Sequence, residues 1–217
     1  MKNMPDGRLL SLSSAGQPEW RLEGAWHAPE GDMPFPAVVV AHPHPLWGGT
    51  MHNPVVVQIA HTLAARGWGA LRVNFRGVGS SQGQYDEGRG EIDDLTGALD
   101  WLAARPEVDA GRLAVVGYSF GAWVAARVAV RDARIQAYVG VALPMSEPYA
   151  VDLSACEASK CLISGARDTL SPPELLRQYV RTLADPKTLH VIPEADHLLQ
   201  GYEREVAGWV ADFLNGV

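Results

Sequence analysis

The sequence predicts an α/β fold in which a mainly parallel sheet carries helices on both faces. Three observations lead there. Short runs such as Ala37-Val38-Val39-Val40-Ala41 and Ile135 to Val141 are rich in apolar β-formers, as strands covered on both faces are. They alternate with segments whose apolar residues recur at helical spacing, so the strands must be joined by crossovers. And one run, Arg112 to Val116, passes abruptly through Gly117-Tyr118-Ser119-Phe120-Gly121 into a helix-compatible stretch, Ala122 to Val130.

Taken in order, residues 1–18 contain Leu9, Leu10 and Leu12 broken up by serines, with no continuous apolar stretch of the kind a secretion signal needs. They read as a flexible tail ahead of a single domain over residues 19–217. Trp20 to His27 alternates like a half-exposed strand. After the Ala37–Ala41 strand come a loop, His42-Pro43-His44-Pro45-Leu46-Trp47-Gly48-Gly49-Thr50, and a helix from about Pro54 to Arg66. Ala70 to Val73 is the next strand, and Asn74 to Ser81 is too glycine-rich to be helical. Glu91 to Ala104 has the rhythm of a helix, with Ile92, Leu95, Leu99 and Leu102 on one side and Pro106 beyond its end. Further strands are expected at Ile135–Val141, Lys160–Gly165 and Thr188–Ile192. Helices are expected at Pro173–Leu183 and Tyr202–Leu214, the last with Val206, Trp209, Val210 and Phe213 inward.

At 217 residues, 47% apolar and 20% charged, the composition is that of a globular protein with room for a substantial core. A net charge of -7 argues against a nonspecific nucleic-acid surface, and no segment is long and apolar enough to span a bilayer. Cys156 and Cys161 lack a second pair to complete a zinc site; free thiols in a reducing compartment are favoured over a disulfide, and a cytoplasmic location with them. A small-molecule substrate, no nucleic acid and no membrane are the expected partners, with self-association left open.

Ser119 sits between two glycines at a strand-to-helix turn, where a side chain is held above the carboxyl edge of a sheet. A helix-capping serine is the plainer reading of that position. A serine hydroxyl attacks only if a base takes its proton, and the base needs a partner to hold its tautomer. Asp168 lies just past the Lys160–Gly165 strand, and His197 just past the Thr188–Ile192 strand. Nucleophile, acid and base thus follow in chain order, each beyond a strand end. Asp196 and Glu194 are alternative partners for His197. The N–H of Phe120 is a natural oxyanion donor. The second should come from the loop after Ala41, where Pro43 and Pro45 have none to give; His44 is preferred over Leu46 and Trp47. His42, His44 and His52 lack a convincing ligand set, so no metal and no cofactor are expected; His42 is assigned a structural hydrogen bond below the site. Arg76 is assigned a structural role at the sheet edge.

The stretches HPHPLWGGTMHN (His42–Asn53), NFRGVGSSQG (Asn74–Gly83), GYSFG, GARD (Gly165–Asp168) and ADH (Ala195–His197) resemble those of the α/β-hydrolase superfamily, in a small branch similar to dienelactone hydrolase. The resemblance runs from about residue 20 to the end. It implies Ser119, Asp168 and His197 as a triad and carboxylic-ester hydrolysis without a cofactor. This chain has serine where dienelactone hydrolase itself uses cysteine. Between Val141 and Lys160 only a short, proline-broken connection is available, too little for a lid domain. A shallow pocket is therefore expected, lined from among Trp47, His52, Met145, Tyr149 and Leu198, for esters of small or medium acyl groups. Thioester or peptide hydrolysis on the same triad is the first alternative, and a non-catalytic binding protein of this fold the second.

Overall fold

The computed structural model describes residues 7–146 and 148–217. Eight strands form one sheet: β1 (Arg8–Ser13), β2 (Arg21–His27), β3 (Phe35–Ala41), β4 (Gly69–Val73), β5 (Val108–Tyr118), β6 (Ile135–Val141), β7 (Ser159–Gly165) and β8 (Lys187–Ile192). Their spatial order is β1-β2-β4-β3-β5-β6-β7-β8. From β4 to β8 all neighbours are parallel, whereas β1 and β2 add an antiparallel edge. The helices are α1 (Pro54–Ala65), α2 (Arg89–Ala103), α3 (Phe120–Ala129), α4 (Pro173–Thr182) and α5 (Glu203–Leu214).

The period-two geometry of a strand divides the core into two layers. Ala37, Val39 and Ala41 of β3 join Leu113 and Val115 of β5 beneath α2 and α3. Val38 and Val40 face the other way, with Ala114, Val116, Val139 and Val141, against α1 and α5. Both faces are thus covered, which explains why these strands read as unbroken apolar runs. In α5 the buried line is Val206, Ala207, Val210, Ala211 and Leu214, while Trp209 and Phe213 flank it half-exposed.

The expectation of a flexible tail through residue 18 is corrected over Arg8–Ser13. This segment pairs along its whole length with β2, from Arg8 opposite Trp26 to Ser13 opposite Arg21. Leu12 is fully buried, and Leu10 packs against the same core layer. The Leu-Ser-Leu-Ser alternation is that of an edge strand with one covered face. Residues 1–6 lie outside the described residues. The connection after β6 contains no helix among its described residues, and no helix among the described residues is long and apolar enough to cross a membrane.

Candidate active site

β5 is central, with β3 and β6 as neighbours, so its carboxyl end opens between two parallel strand ends. There the chain turns sharply at Ser119, with φ 54° and ψ −117°. A non-glycine residue in that region costs on the order of 1–3 kcal/mol and persists only where its surroundings enforce it. Here the N–H of Ser119 donates to Val141 O at 2.8 Å, while its carbonyl accepts the first bonds of α3 from Ala122 and Trp123. The flanking glycines permit the close approach: a Cβ on Gly117 would strike the Gly121 carbonyl, and one on Gly121 the Ala41 and His42 carbonyls. The side chain of Ser119 makes no capping bond to α3. The capping reading therefore fails, and the hydroxyl is directed elsewhere.

It meets His197. Ser119 Oγ lies 2.8 Å from His197 Nε2, and His197 Nδ1 lies 2.9 and 3.0 Å from the two carboxylate oxygens of Asp168. Since the carboxylate can only accept, Nδ1 carries the hydrogen and Nε2 is left to receive the serine proton. Asp168 is buried, and its Oδ1 accepts from the N–H groups of Leu170 and Ser171 at 2.9 and 2.8 Å. Burial alone would push this carboxyl up; the hydrogen bond and charge of His197, with the two N–H groups, outweigh it and hold the pKa below the ordinary value.

The acid and base loops are joined to one another. Ala166 N–H donates to Ile192 O and Arg167 N–H to Ala195 O. The two alternative partners of His197 are engaged elsewhere: Glu194 pairs with Arg167 in the open, and Asp196 Oδ1 accepts from Leu198 N–H. Tyr118, the residue before the nucleophile, donates its hydroxyl to His197 O at 2.9 Å and so ties the base loop to β5. Sequence reasoning passed over Tyr118, although its place beside Ser119 at the end of a strand was a usable signal.

The His42–Thr50 loop is held at both ends. His42 is fully buried; its Nε2 accepts from Phe75 N–H at 3.1 Å, which leaves Nδ1–H to donate to Pro43 O at 2.6 Å. Burial, with a smaller repulsion from His44, outweighs that carbonyl and drives its pKa down to about 4. At the far end Met51 N–H donates to Asn74 Oδ1, and Met51 O accepts from Arg72. Asn74 in turn donates to Glu23. His44 is buried by stacking on Trp47 and by contact with Tyr85 and Phe120. His52 is exposed, its N–H on Thr50 Oγ1. The three rings of His42, His44 and His52 thus have separate surroundings. Arg76 forms a buried pair with Asp94 of α2, at 2.8 Å, and also lies over Trp20.

Of the expected pocket residues, Trp47 and Leu198 are exposed, at 72% and 65%. Met145 is half-buried and bonds through its N–H to Leu170 O beside the acid loop. Tyr149 meets Trp123 edge-on, and Trp123 contacts Phe120. Cys156 and Cys161 are free and buried in opposite core layers, one on each side of the sheet.

The comparisons with known proteins agree with this geometry. The family described as X-Pro dipeptidyl-peptidase (S15 family) matches residues 20–201. An alpha-beta serine hydrolase homologue from Coxiella burnetii is 30% identical, with a TM-score of 0.86 over 98% of this chain and 100% of its own. An a/b serine hydrolase without lid from Xanthomonas campestris is 29% identical, with a TM-score of 0.83 over 98% of this chain and 95% of its own. A protein of Rickettsia prowazekii is 32% identical over 91% of this chain and 85% of that protein.

Proposed function

From a chain that belongs to the X-Pro dipeptidyl-peptidase (S15) family and seats a Ser-His-Asp triad in a lidless α/β-hydrolase fold, we infer a serine-dependent hydrolase that cleaves carboxylic esters of small or medium acyl groups. The observation that carries the reading is the unbroken relay from Ser119 Oγ through His197 to a buried, ionised Asp168. His197 Nε2 takes the serine proton as Oγ attacks the acyl carbonyl. The protonated ring is held by Asp168 and then gives that proton to the departing alcohol. Water, activated by the same nitrogen, releases the acid from the acyl-enzyme.

The oxyanion formed at each step needs donors placed in advance. We propose the N–H groups of Phe120 and His44. Leu46 and Trp47, the rival donors, already commit theirs to His44 Nδ1 and His44 O. Among the described residues the N–H groups of His44 and Phe120 meet no acceptor. Trp47, Met145, Tyr149 and Leu198, with His52 at the entrance, are proposed to receive the acyl or alcohol group. The exposure of Leu46, Trp47, Leu170 and Leu198, from three loops at the carboxyl edge, supports a shallow apolar mouth. The motifs shared with dienelactone-hydrolase-like proteins support placement in that branch, and we propose a cytoplasmic enzyme.

A second reading, peptide hydrolysis, comes from the family's name. One experiment separates the two: kcat/KM on p-nitrophenyl esters of increasing acyl length, beside a thioester and an X-Pro anilide. Each CH2 gains up to about 0.8 kcal/mol only where it is buried. Ester turnover should rise over the first few carbons and then flatten, with covalent capture of Ser119 by an organophosphonate. A rise continuing to long chains defeats the shallow pocket. Anilide turnover exceeding that of every ester defeats the esterase reading.

A further inference from the structure

Tyr85 lies in the stretch between β4 and α2, where no sequence pattern marks it, yet its hydroxyl is 3.1 Å from His44 Nε2. The roles in this bond follow from the other side of the ring. His44 Nδ1 accepts from Leu46 N–H at 3.2 Å, so in the neutral imidazole Nε2 carries the hydrogen and donates to the Tyr85 oxygen. Burial, helped by nearby Tyr149, Glu91 and Glu87, pushes the Tyr85 phenol up to about 12, so it stays an un-ionised acceptor at neutral pH. The His44 ring is thus bonded on both nitrogens. It is also stacked 4.7 Å from Trp47 and packed 4.9 Å from Phe120, while the Tyr85 ring contacts Phe120 at 5.8 Å.

We propose that Tyr85 is a positioning residue for the oxyanion hole: by holding the His44 imidazole it fixes the aim of the His44 backbone N–H. The inference rests on the hydrolase reading and on His44 as a donor. Pro43 and Pro45 flank His44, so within this tripeptide one N–H alone can serve the oxyanion, and its direction is set by how the residue is anchored. The ring contacts of His44 and Tyr85 with Phe120 join the side chains of the two proposed donors into one packed cluster. A donor placed for the transition state and not for the ground state affects kcat while leaving KM alone.

The test is Tyr85→Phe, which keeps the ring and removes the acceptor. Loss of one hydrogen bond of ordinary strength corresponds to roughly 3- to 10-fold. That factor is expected in kcat on a small p-nitrophenyl ester with KM within about twofold. A trifluoromethyl ketone, whose adduct with Ser119 carries the oxyanion, should lose affinity by the same factor. An unchanged kcat, or a loss confined to KM, overturns the proposal, provided wild type turns over and is labelled at Ser119. If wild type does neither, the hydrolase reading itself has failed. Nitrogen NMR of the wild-type imidazole gives a check that needs no variant: His44 should be the Nε2–H tautomer, and an Nδ1–H ring overturns the assignment.

Discussion

Two segments border Ser119 from opposite sides, the loop after β3 and the connection after β6, and they are held very differently. Residues 42–51 are stitched to β4 and the loop after it by buried side chains at both ends, His42 to Phe75 and Met51 to Asn74 and Arg72. The connection is anchored through backbone groups and a few side chains. Ala142 N–H reaches Ile163 O, Met145 N–H reaches Leu170 O, and Tyr179 Oη bridges Val151 O and Leu153 N–H. Between those anchors Ser146, Pro148 and Ala150 are exposed. The contrast matches the work proposed above for each side. Donors for a developing charge must be preorganised, because any reorganisation is added to the barrier. A wall of the kind proposed for the connection, meeting a variable acyl or alcohol group, would gain from having few fixed contacts.

The largest expected effect breaks the relay that lies between the two segments. Asp168→Asn should lower kcat by about 10²–10⁴ with the fold intact, by loss of the required histidine tautomer. Asp196→Asn, whose carboxylate accepts from the Leu198 N–H and not from His197, should stay near wild type. Steady-state kinetics with circular dichroism checks both, and a crippled Asp196→Asn beside an active Asp168→Asn would reverse the assignment.

The next sharpens the rigid side. His42 has an ordinary pKa near 6.5 in the unfolded chain and about 4 when folded. Its contribution is therefore complete above pH 6.5 and is lost as the pH falls toward 4, because the unfolded chain takes up the proton first. Between pH 7 and 4.5 the loss should be about 2–3 kcal/mol. His44 and His190, also lowered by burial, add to the slope in the same direction, so the wild-type curve alone does not isolate His42. Denaturant unfolding of wild type and His42→Gln at both pH values does: the variant should be less stable at pH 7 and its pH dependence flatter. Parallel curves would show that His42 is not the buried neutral group described. Asp168, depressed rather than raised, adds its own loss only below about pH 4.

The smallest effect is expected on the loosely held side. Tyr149→Ala removes one edge-on contact to Trp123, worth about 0.5–1.5 kcal/mol beyond its area. It should change KM across an ester series while kcat for the smallest ester moves less than about threefold. A uniform collapse of kcat would mean that this segment, too, positions the reacting groups.

Much of this could be read in the chain beforehand, for identifiable reasons. Strand and helix periodicities are properties of neighbouring residues, so seven strands and five helices were expected within a few residues of their observed ends. The elbow was legible because Gly117 and Gly121 must be small wherever a strand turns so sharply into a helix. Asp168 and His197 were legible because each follows a strand whose carboxyl end must lie on the same edge as Ser119. β1 was missed because an edge strand covered on one face alternates, and serines between leucines resemble a polar tail.

What the sequence by itself determined, then, is the layered sheet and the triad that parallel strand ends bring to one edge. These follow from local periodicity and from the rule that crossovers return strands in the same direction. Tertiary structure alone decided the bond of Tyr118 to His197 across 79 residues and that of Tyr85 to His44 across 41. It also decided on which side of the sheet each cysteine is buried. Such bonds join distant residues that no periodicity relates, and they form only once packing of the core has brought their elements within about 3 Å.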